Sequence, residues 1–460
     1  MVAISLLAGI VGTETAEFAQ SVPVNLEPIA IENNISKVQL RSAMGALPFA
    51  TGPGIDRGGI LWRGICYRVM GTSLVKVMRD GSVVTIGDVG GGGKVAMDYS
   101  FDRLGIASGG KLYYWDGTAL VQNTSVNLGL VIDMLWIDGY FMTTDGVTVI
   151  VTELSNPMIV KPLKYGAADE DPSECVGLVK LRDEVYVCDR YTIQVFRNIG
   201  GNGFPFQTVK GATLPFGVVG TYAKTLFGAS FAFVGSARNE NLSVFLAGDG
   251  TAIKISSREL DRALAGVVDP AAIIIEKRVS TNEARLIVHL PTESWVFLQN
   301  ASQLVGDYLW YKAQSGVGQP YRLRNPVNAY GKRLVGDLNS NAIGYLTDTV
   351  TTHFGQFAQW QLDLGILYNQ GKGAILHSIE MIALPGRGIG PSTIFMSLTR
   401  DGETYSQERG ITVAKADREK RIQWRPHTRF ARYMGMRLRS NDSALAGIAA
   451  MEANIVGLAI

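Results

Sequence analysis

Short apolar or alternating runs recur along the first three quarters of the chain, and tight-turn dipeptides separate them. The runs RGICYRVM, SLVKVM and SVVTIGDV come early, with Gly71-Thr72 and Asp80-Gly81 between them. Asp-Gly between alternating runs indicates a hairpin, because the central residues of such a turn must tolerate positive φ. The pattern therefore predicts many short antiparallel strands.

These runs group in threes and fours at intervals of a few tens of residues. Such grouping is typical of β-propeller blades, each a small antiparallel meander, although a series of β-sandwich strands gives similar spacing. One helix is predicted at 256–264, where Ser256 and Glu259 have the spacing of a capping box. The number of blades stays open.

The texture changes after residue 353, where longer strands and larger loops begin, as in QFAQWQLDLGI and AILHSIEMIAL. We therefore predict an all-β protein, a β-propeller with a C-terminal β-sandwich-like domain. The predicted division is 1–353 for the propeller, with the N-terminal segment included, and 354–460 for the sandwich-like domain.

The stretch GDVGGGGKVAM, residues 87–97, could be a phosphate-binding loop or a turn between strands. A P-loop needs G-x-x-x-x-G-K-[ST], yet Asp88 stands where the first glycine belongs and Val95 where the hydroxyl belongs. The sequence after it also alternates like a strand. We predict a flexible turn.

Composition narrows the possible function classes. The 460 residues are 47% hydrophobic and 18% charged, with 53 glycines and a net charge of +2. This is a core-forming chain whose overall charge does not indicate a nucleic-acid binder. Three cysteines and four scattered histidines form no zinc motif, so neither a metal nor a cofactor is expected. Cys175 and Cys188 flank a predicted hairpin, and whether they pair stays open.

No membrane contact is expected either. No apolar run reaches the ~18 residues of a membrane helix. The opening MVAISLLAGIVG resembles a signal-peptide core, but the first basic residue is Lys37, so a basic leader region is missing.

Several polar or aromatic residues are candidates for chemistry or contact. Asp169, Glu170 and Asp171 form an acidic stretch without full calcium-loop spacing, so a solvated loop is favoured. His289 lies in an apolar strand and no G-x-S-x-G elbow occurs, which favours a core or interface histidine.

Large apolar residues in predicted loops indicate partner contacts. They are Phe204, Phe206 and Ile389.

The strongest charge feature is KADREKRIQWRPHTRFARYMGMRLR, residues 415–439. It holds nine basic residues against two acidic ones, with Trp424, Phe430 and Tyr433 interleaved. Such a strip could bind a nucleic-acid backbone or contact another subunit, where arginine is enriched, and the subunit contact is favoured. The predicted contact residues are Arg421, Arg425, Arg429, Arg432, Arg437 and Arg439.

Several segments resemble the packaged DNA stabilisation proteins of short-tailed phages, also called tail accessory factors, hubs or nozzles. GVVGTYAKTLFGASFAFVG (217–235) and the following NLSVFLAGDGTAIKISSRELDRAL carry the resemblance most clearly. PVNLEPI near the start, and DGETYSQER and RIQWRPHTRFARYMGMRLR near the end, are similar to segments of that family.

The resemblance implies a structural, non-enzymatic virion protein, assembled in the host cytoplasm. It implies a sixfold homo-oligomeric ring below the portal and the adaptor ring. Its implied partners are the tail needle or plug, the tailspikes or fibres, and the packaged DNA that passes through the channel. The competing hypothesis is a host-surface carbohydrate-binding or polysaccharide-degrading β-propeller, which needs exposed aromatic residues or paired carboxylates.

Overall fold

The computed structural model describes residues 2–7, 9–11, 19–30, 38–154, 156–167, 173–383, 392–414 and 421–458. Strands dominate these residues, and two short α-helices interrupt them. The all-β class follows from the sequence pattern, since short β-branched and aromatic runs with glycine turns suit antiparallel pairing.

Six strands precede the first complete propeller sheet. They are β1 (Val2–Ile4), β2 (Gly9–Val11), β3 (Ala19–Ser21), β4 (Leu26–Ala30), β5 (Val38–Ser42) and β6 (Gly45–Thr51).

Four sheets of four strands each follow in chain order. The first two contain β7 (Asp56–Trp62), β8 (Ile65–Met70), β9 (Ser73–Val77), β10 (Val83–Asp88), β11 (Ala96–Tyr99), β12 (Leu104–Ser108), β13 (Lys111–Trp115) and β14 (Leu120–Gln122). The next two contain β15 (Asp133–Ile137), β16 (Tyr140–Thr144), β17 (Thr148–Val151), β18 (Tyr165–Ala167), β19 (Cys175–Leu181), β20 (Glu184–Asp189), β21 (Ile193–Asn198) and β22 (Phe206–Thr208).

Three further sheets complete the propeller. Their strands are β23 (Gly217–Val218), β24 (Lys224–Phe227), β25 (Ser230–Ser236), β26 (Ser243–Gly248), β27 (Thr251–Lys254), β28 (Ile274–Val279), β29 (Ala284–His289), β30 (Ser294–Leu298), β31 (Trp310–Ala313), β32 (Leu323–Ala329), β33 (Lys332–Asp337) and β34 (Ala342–Thr347).

The seven sheets of the described residues close into a ring. The inner strands β7, β11, β15, β19, β24, β28 and β32 contact one another in that order, and β32 contacts β7. The last sheet takes its outer strand from the N-terminal side of the chain, since β6 pairs antiparallel with β34. A seven-bladed propeller whose final blade joins both ends of its sequence leaves few edges unpaired.

The Asp-Gly turns form as the sequence predicts. Asp138 and Gly139 join β15 to β16 with φ of 50° and 89°, and Ile137 pairs with Tyr140 across the turn. Both central residues have positive φ, which is the reason that this dipeptide favours tight hairpins.

Two helices lie between propeller strands, and one was missed. Helix α1 (Arg258–Ala265) corresponds to the predicted helix, but its cap is Ser257, whose side chain accepts from the Leu260 amide, and not Ser256. Helix α2 (Gln299–Val305) has no local side-chain cap. Instead Glu283 accepts from the amides of Asn300 (2.7 Å) and Ala301 (3.0 Å). No local signal could predict a cap that lies 17 residues away in sequence.

The remaining strands follow the propeller. They are β35 (Thr352–His353), β36 (Gln356–Phe357), β37 (Trp360–Tyr368), β38 (Ala374–Ala383), β39 (Ser392–Thr399), β40 (Arg409–Val413), β41 (Ile422–Trp424), β42 (Thr428–Phe430), β43 (Tyr433–Ser440) and β44 (Gly447–Gly457).

Two sheets form the C-terminal sandwich, and each includes strands from the start of the chain. One sheet has the order β3-β2-β37-β43-β39-β40, and the other has β4-β5-β44-β38-β41 with β1 on β44 and β42 on β38. Strands β1 to β5 therefore pair with sandwich strands, while Val24 also forms a parallel bridge with Lys312 of the propeller strand β31. Apolar side chains explain this pairing, because Leu26 and Leu40 are fully buried in one core cluster with Leu376 and Met451.

The glycine stretch is a structural loop that surrounds a cation. The Arg57 guanidinium donates to the carbonyl oxygens of Gly93 (2.7 Å), Gly90 (2.7 Å) and Gly71 (2.8 Å), and to the Ser108 hydroxyl (2.9 Å). A phosphate loop instead points amide N–H groups at its ligand. The glycine carbonyl oxygens here accept from Arg57, so the loop is a turn held between two blades and not a phosphate-binding loop.

The three cysteines are free and buried. Cys188 pairs across the ladder with Gly177, and Cys175 pairs with Asp189, so the two thiols are offset by a bulge. Burial raises the pKa of Cys175 to about 11, which keeps this thiol protonated and unreactive at neutral pH.

Candidate assembly surface

The predicted arginine strip belongs to the sandwich. Its described part forms β41, β42 and β43, and residues 415–420 lie outside the described residues. The structure separates its arginines into two groups: three that are bound to carboxylates of the same chain, and three that are not.

Arg437 and Arg439 form ion pairs with acidic residues of their own sheet or of the segment that leads into it. Arg437 Nε lies 2.6 Å from Asp363 Oδ1, and its guanidinium carbon lies 3.9 Å from the centroid of the Tyr405 ring. Arg439 Nη2 lies 2.6 Å from Glu408 Oε2, and this hydrogen-bonded pair holds the pKa of Glu408 below its usual value. Paired and stacked guanidinium groups of this kind stabilise the outer face of a sheet.

Arg421 is also paired, but at the surface. Its Nε lies 3.0 Å from Glu380 Oε1, and 69% of the Arg421 side chain is exposed. Exposed pairs contribute little to stability, so Arg421 could exchange this partner for another.

Arg425, Arg429 and Arg432 are exposed, and two arginines outside the predicted strip lie beside them. Arg400 Nη2 donates to the Arg429 carbonyl oxygen (3.1 Å), and Arg409 Nη1 donates to the Arg425 carbonyl oxygen (3.2 Å). Among the described residues, no carboxylate lies within ion-pair distance of any of these five side chains. We call this group of five arginines the basic edge.

The basic edge lies where the edge strands of the two sandwich sheets meet. Strand β40 ends one sheet and β41 ends the other, and the Trp424 indole donates to the Arg409 carbonyl oxygen (2.9 Å) between them. Most of β40 is exposed. Edge strands with free backbone groups are ready to pair with another chain, and the flanking arginines add charge and several hydrogen-bond donors.

Sequence reasoning missed Arg400 and Arg409 because they lie outside the densest basic window. Each stands at a strand end of the β39–β40 hairpin, in the stretch TRDGETYSQERG. Only the pairing of sheets across the sandwich brings them beside residues 425–429.

The propeller encloses a second charged region, a central cavity of about 600 Å³ lined by residues from all seven inner strands or the turns next to them. Three lysines in it are bound to acids: Lys94 to Glu276 (2.8 Å), Lys180 to Asp98 (3.3 Å) and Lys224 to Asp133 (2.7 Å). Each pair joins two blades that are not adjacent in the ring.

Glu276 in this cavity is a poor candidate for the general acid of polysaccharide hydrolysis. Glu276 accepts from Lys94, from the Asn325 amide and from the ring of His289 (Nε2–Oε2 3.2 Å). Although burial raises it, these cations and hydrogen bonds hold the pKa of Glu276 well below its usual value. A glycosidase needs one carboxyl group with a raised pKa.

The other candidates carry less weight. His289 is buried with partners Glu276 and Ser294, as a core histidine should be. Phe206 is 4% exposed and packs in a blade core, so the expectation of an exposed loop aromatic was wrong there. The acidic stretch 169–171 and Ile389 lie outside the described residues.

The described residues contain neither a metal-binding cluster nor a membrane-spanning helix. They contain no group of three or more histidine, cysteine or acidic side chains arranged to hold a metal ion. Within the same residues, the helices are too short or too polar to span a bilayer.

The fold and the basic edge define a type of architecture, a seven-bladed propeller joined to a sandwich with an open, arginine-rich side. The chain belongs to the bacteriophage P22 Gp10 family, whose β-propeller model matches residues 2–351 and whose β-sandwich model matches residues 359–456. The predicted family and the predicted propeller and sandwich are confirmed.

A curated relative is the tail hub protein gp10 of Salmonella phage P22. It is 25% identical over 456 residues, which cover 93% of each chain. The protein is thus a structural tail hub protein of the virion tail.

Two solved structures align with the chain at low sequence identity. The N-terminal domain of Nup159 gives a TM-score of 0.43 at 9% identity, covering 71% of this chain and 99% of its own. PorZ of Porphyromonas gingivalis gives 0.42 at 9% identity, covering 80% and 46%.

Proposed function

We propose that the tail hub is a closed ring of six copies, and that the basic edge of each sandwich contacts the neighbouring copy. The carrying observation is that the exposed edge strand β40, next to the edge strand β41, lies beside five arginines that lack an acidic partner in the described chain. A ring needs a head-to-tail contact, in which one surface meets a different surface of the next copy.

The DNA conduit of this ring would lie between the copies and not through each propeller. The central cavity of about 600 Å³ is crossed by ion pairs, and it is too small to admit a duplex whose major groove alone is about 12 Å wide. The near-neutral charge of the chain suits such a conduit, because a strongly basic wall would hold DNA back during ejection.

The family resemblance supports the proposed position of the ring and its specific partners in the tail. We place the ring below the portal and the adaptor ring, where it extends the conduit and retains packaged DNA. It would also carry the needle or plug and the tailspikes. Many short paired strands make a stiff part, which suits a ring under outward DNA pressure.

Charge reversal tests the contact directly. We expect Arg429→Glu with Arg432→Glu to prevent ring formation, because both exposed cations would then repel an acidic partner surface. Ring formation is measured by light scattering and electron microscopy of the purified chain. Arg79→Glu, an exposed arginine in the propeller, is the matched control and should assemble normally. Normal rings from the double variant would contradict the proposal.

DNA retention is tested with DNA-filled heads that lack this protein. Adding the wild-type chain should keep the DNA protected from nuclease and add a ring of density below the portal. The charge-reversed chain should do neither. Unchanged leakage with the wild-type chain would argue against the proposed retention role.

A further inference from the structure

A second basic surface lies at one face of the propeller, far from the basic edge in sequence. The turns after β7, β28 and β32 surround a pocket of about 760 Å³, together with Arg41 of β5 and Asp348 after β34. Its charged lining consists of Arg41, Arg285, Lys332, Arg333, Glu283 and Asp348. Four cations against two acids leave an excess of positive charge.

Buried groups behind the wall do not cancel this excess. Arg285 is fully buried and donates to Glu27 (Nε–Oε1 2.9 Å) and to the Ser280 hydroxyl (2.8 Å). Glu27 also lies 3.4 Å from Arg41 (Nη2–Oε1), so it is occupied by two of the four lining cations. The buried Arg278 adds another positive charge near Glu27. Glu283 is occupied as well, since it caps helix α2.

Arg333 and Lys332 are the cations available to a ligand. Among the described residues, neither is in an ion pair, and the Lys332 ammonium lies 4.5 Å from the Tyr345 ring centroid. Desolvation, and then the charges of Arg278 and Arg285, lower the pKa of Arg333. An anion in the pocket would relieve this repulsion.

The pocket wall is also partly apolar. Leu61 and Val279 line it and are 38% and 47% exposed. A volume of this size suits a ligand held in a concave site, not a duplex lying on a surface. A solvated phosphate backbone would gain little from Leu61 and Val279, whereas a peptide could bury apolar side chains against them.

We propose that this pocket binds an acidic peptide segment of a protein partner, one carboxylate pairing with Arg333 and neighbouring apolar side chains packing on Leu61 and Val279. The site is separate from the basic edge. Its occupancy therefore does not depend on the proposed ring contact.

The test uses the full chain and a fluorescein-labelled peptide of sequence Leu-Glu-Glu-Leu-Glu-Glu, followed by fluorescence polarisation. We expect saturable binding that Arg333→Gln weakens about tenfold or more, because the paired carboxylate loses its partner. Lys210→Gln, at an exposed cation that follows β22 in the fourth sheet and does not line the pocket, should bind as the wild type does. The peptide Leu-Gln-Gln-Leu-Gln-Gln should bind at least about tenfold more weakly than the acidic one.

Two further variants and a DNA duplex serve as controls for the site and for the kind of ligand. Leu61→Glu places a negative charge at the pocket wall and should also abolish binding, while the Arg429→Glu/Arg432→Glu chain should bind normally. A labelled 12-base-pair duplex should bind no more tightly to the wild type than to Arg333→Gln. The proposal is overturned if the wild type does not bind the peptide, if Arg333→Gln binds it equally, or if only the duplex responds to Arg333.

Discussion

Arginines in the propeller and arginines at the edge of the sandwich have opposite surroundings. Arg68 is fully buried, with Nη1 2.7 Å from Asp56 Oδ2 and Nη2 bonded to two backbone carbonyls. Arg429 and Arg432 are exposed and have no acidic partner among the described residues. The same residue type thus fixes the fold at Arg68 and remains available for contact at Arg429 and Arg432. Local charge density does not distinguish the two roles; partners and burial do.

The largest expected effect comes from breaking the buried pair. Arg68→Met would leave Asp56 buried without its cation, and burial already raises the pKa of this carboxyl group. We expect a loss of about 3–5 kcal/mol in the free energy of unfolding, measured by denaturant titration. Adding Asp56→Leu should restore part of the loss, since no charge is then left buried. A single variant as stable as the wild type would show that the pair is not structural.

Histidines give a second, smaller contrast that depends on pH. Burial, with the charge of Arg324, lowers the pKa of His289 to about 4, while the unfolded value is about 6.5. Below pH 6.5, His289 therefore binds a proton in the unfolded chain but stays neutral in the folded chain. The stability that neutral His289 contributes is present above pH 6.5 and is lost as the pH falls toward 4.

Between pH 6.5 and 5 we expect His289 to contribute a loss of about 2 kcal/mol. His289→Gln should remove that part of the pH dependence in denaturant titrations at several pH values. His427 is exposed in the sandwich, so His427→Gln should leave the slope unchanged. Equal slopes for the wild type and His289→Gln would contradict the buried, neutral state.

The smallest effect should come from the basic edge itself. Arg429→Gln removes an exposed cation without a carboxylate partner in the described chain, so the free energy of unfolding should change by less than about 0.5 kcal/mol. The measurement is the same denaturant titration, made at a concentration where the chain is monomeric. A loss comparable with that of Arg68→Met would mean that Arg429 serves the fold and not a partner.

The sequence predicts local features well and distant pairings poorly. The turn at Asp138-Gly139 follows from two neighbouring residues and forms as expected. The pairing of Val2 with Ala453 depends on residues at opposite ends of the chain, and no local pattern specifies it. The ion pair between Arg437 and Asp363 spans 74 residues, so a count of charges in one window could not reveal it.

In the candidate site too, the sequence of the basic strip does not reveal which distant residues its arginines meet. Its density drew attention to residues 425–432, but the count gave equal weight to Arg437 and Arg439, whose acids come from β37 and the segment before β40. It also omitted Arg400 and Arg409, which only the folded sandwich brings close. Which of these arginines contact a neighbour or DNA stays a prediction.

The shared sheets of the first and last strands have a consequence for the order of events during synthesis. Strands β4 and β5 leave the ribosome early, but β5 pairs with β44, about 400 residues later. At translation rates of about 5–20 residues per second, the delay is roughly 20 to 80 s. The propeller can close once β34 has emerged and met β6. The sandwich, with its basic edge, can close only after the last strand is made, so nascent chains would not display a finished assembly surface before release.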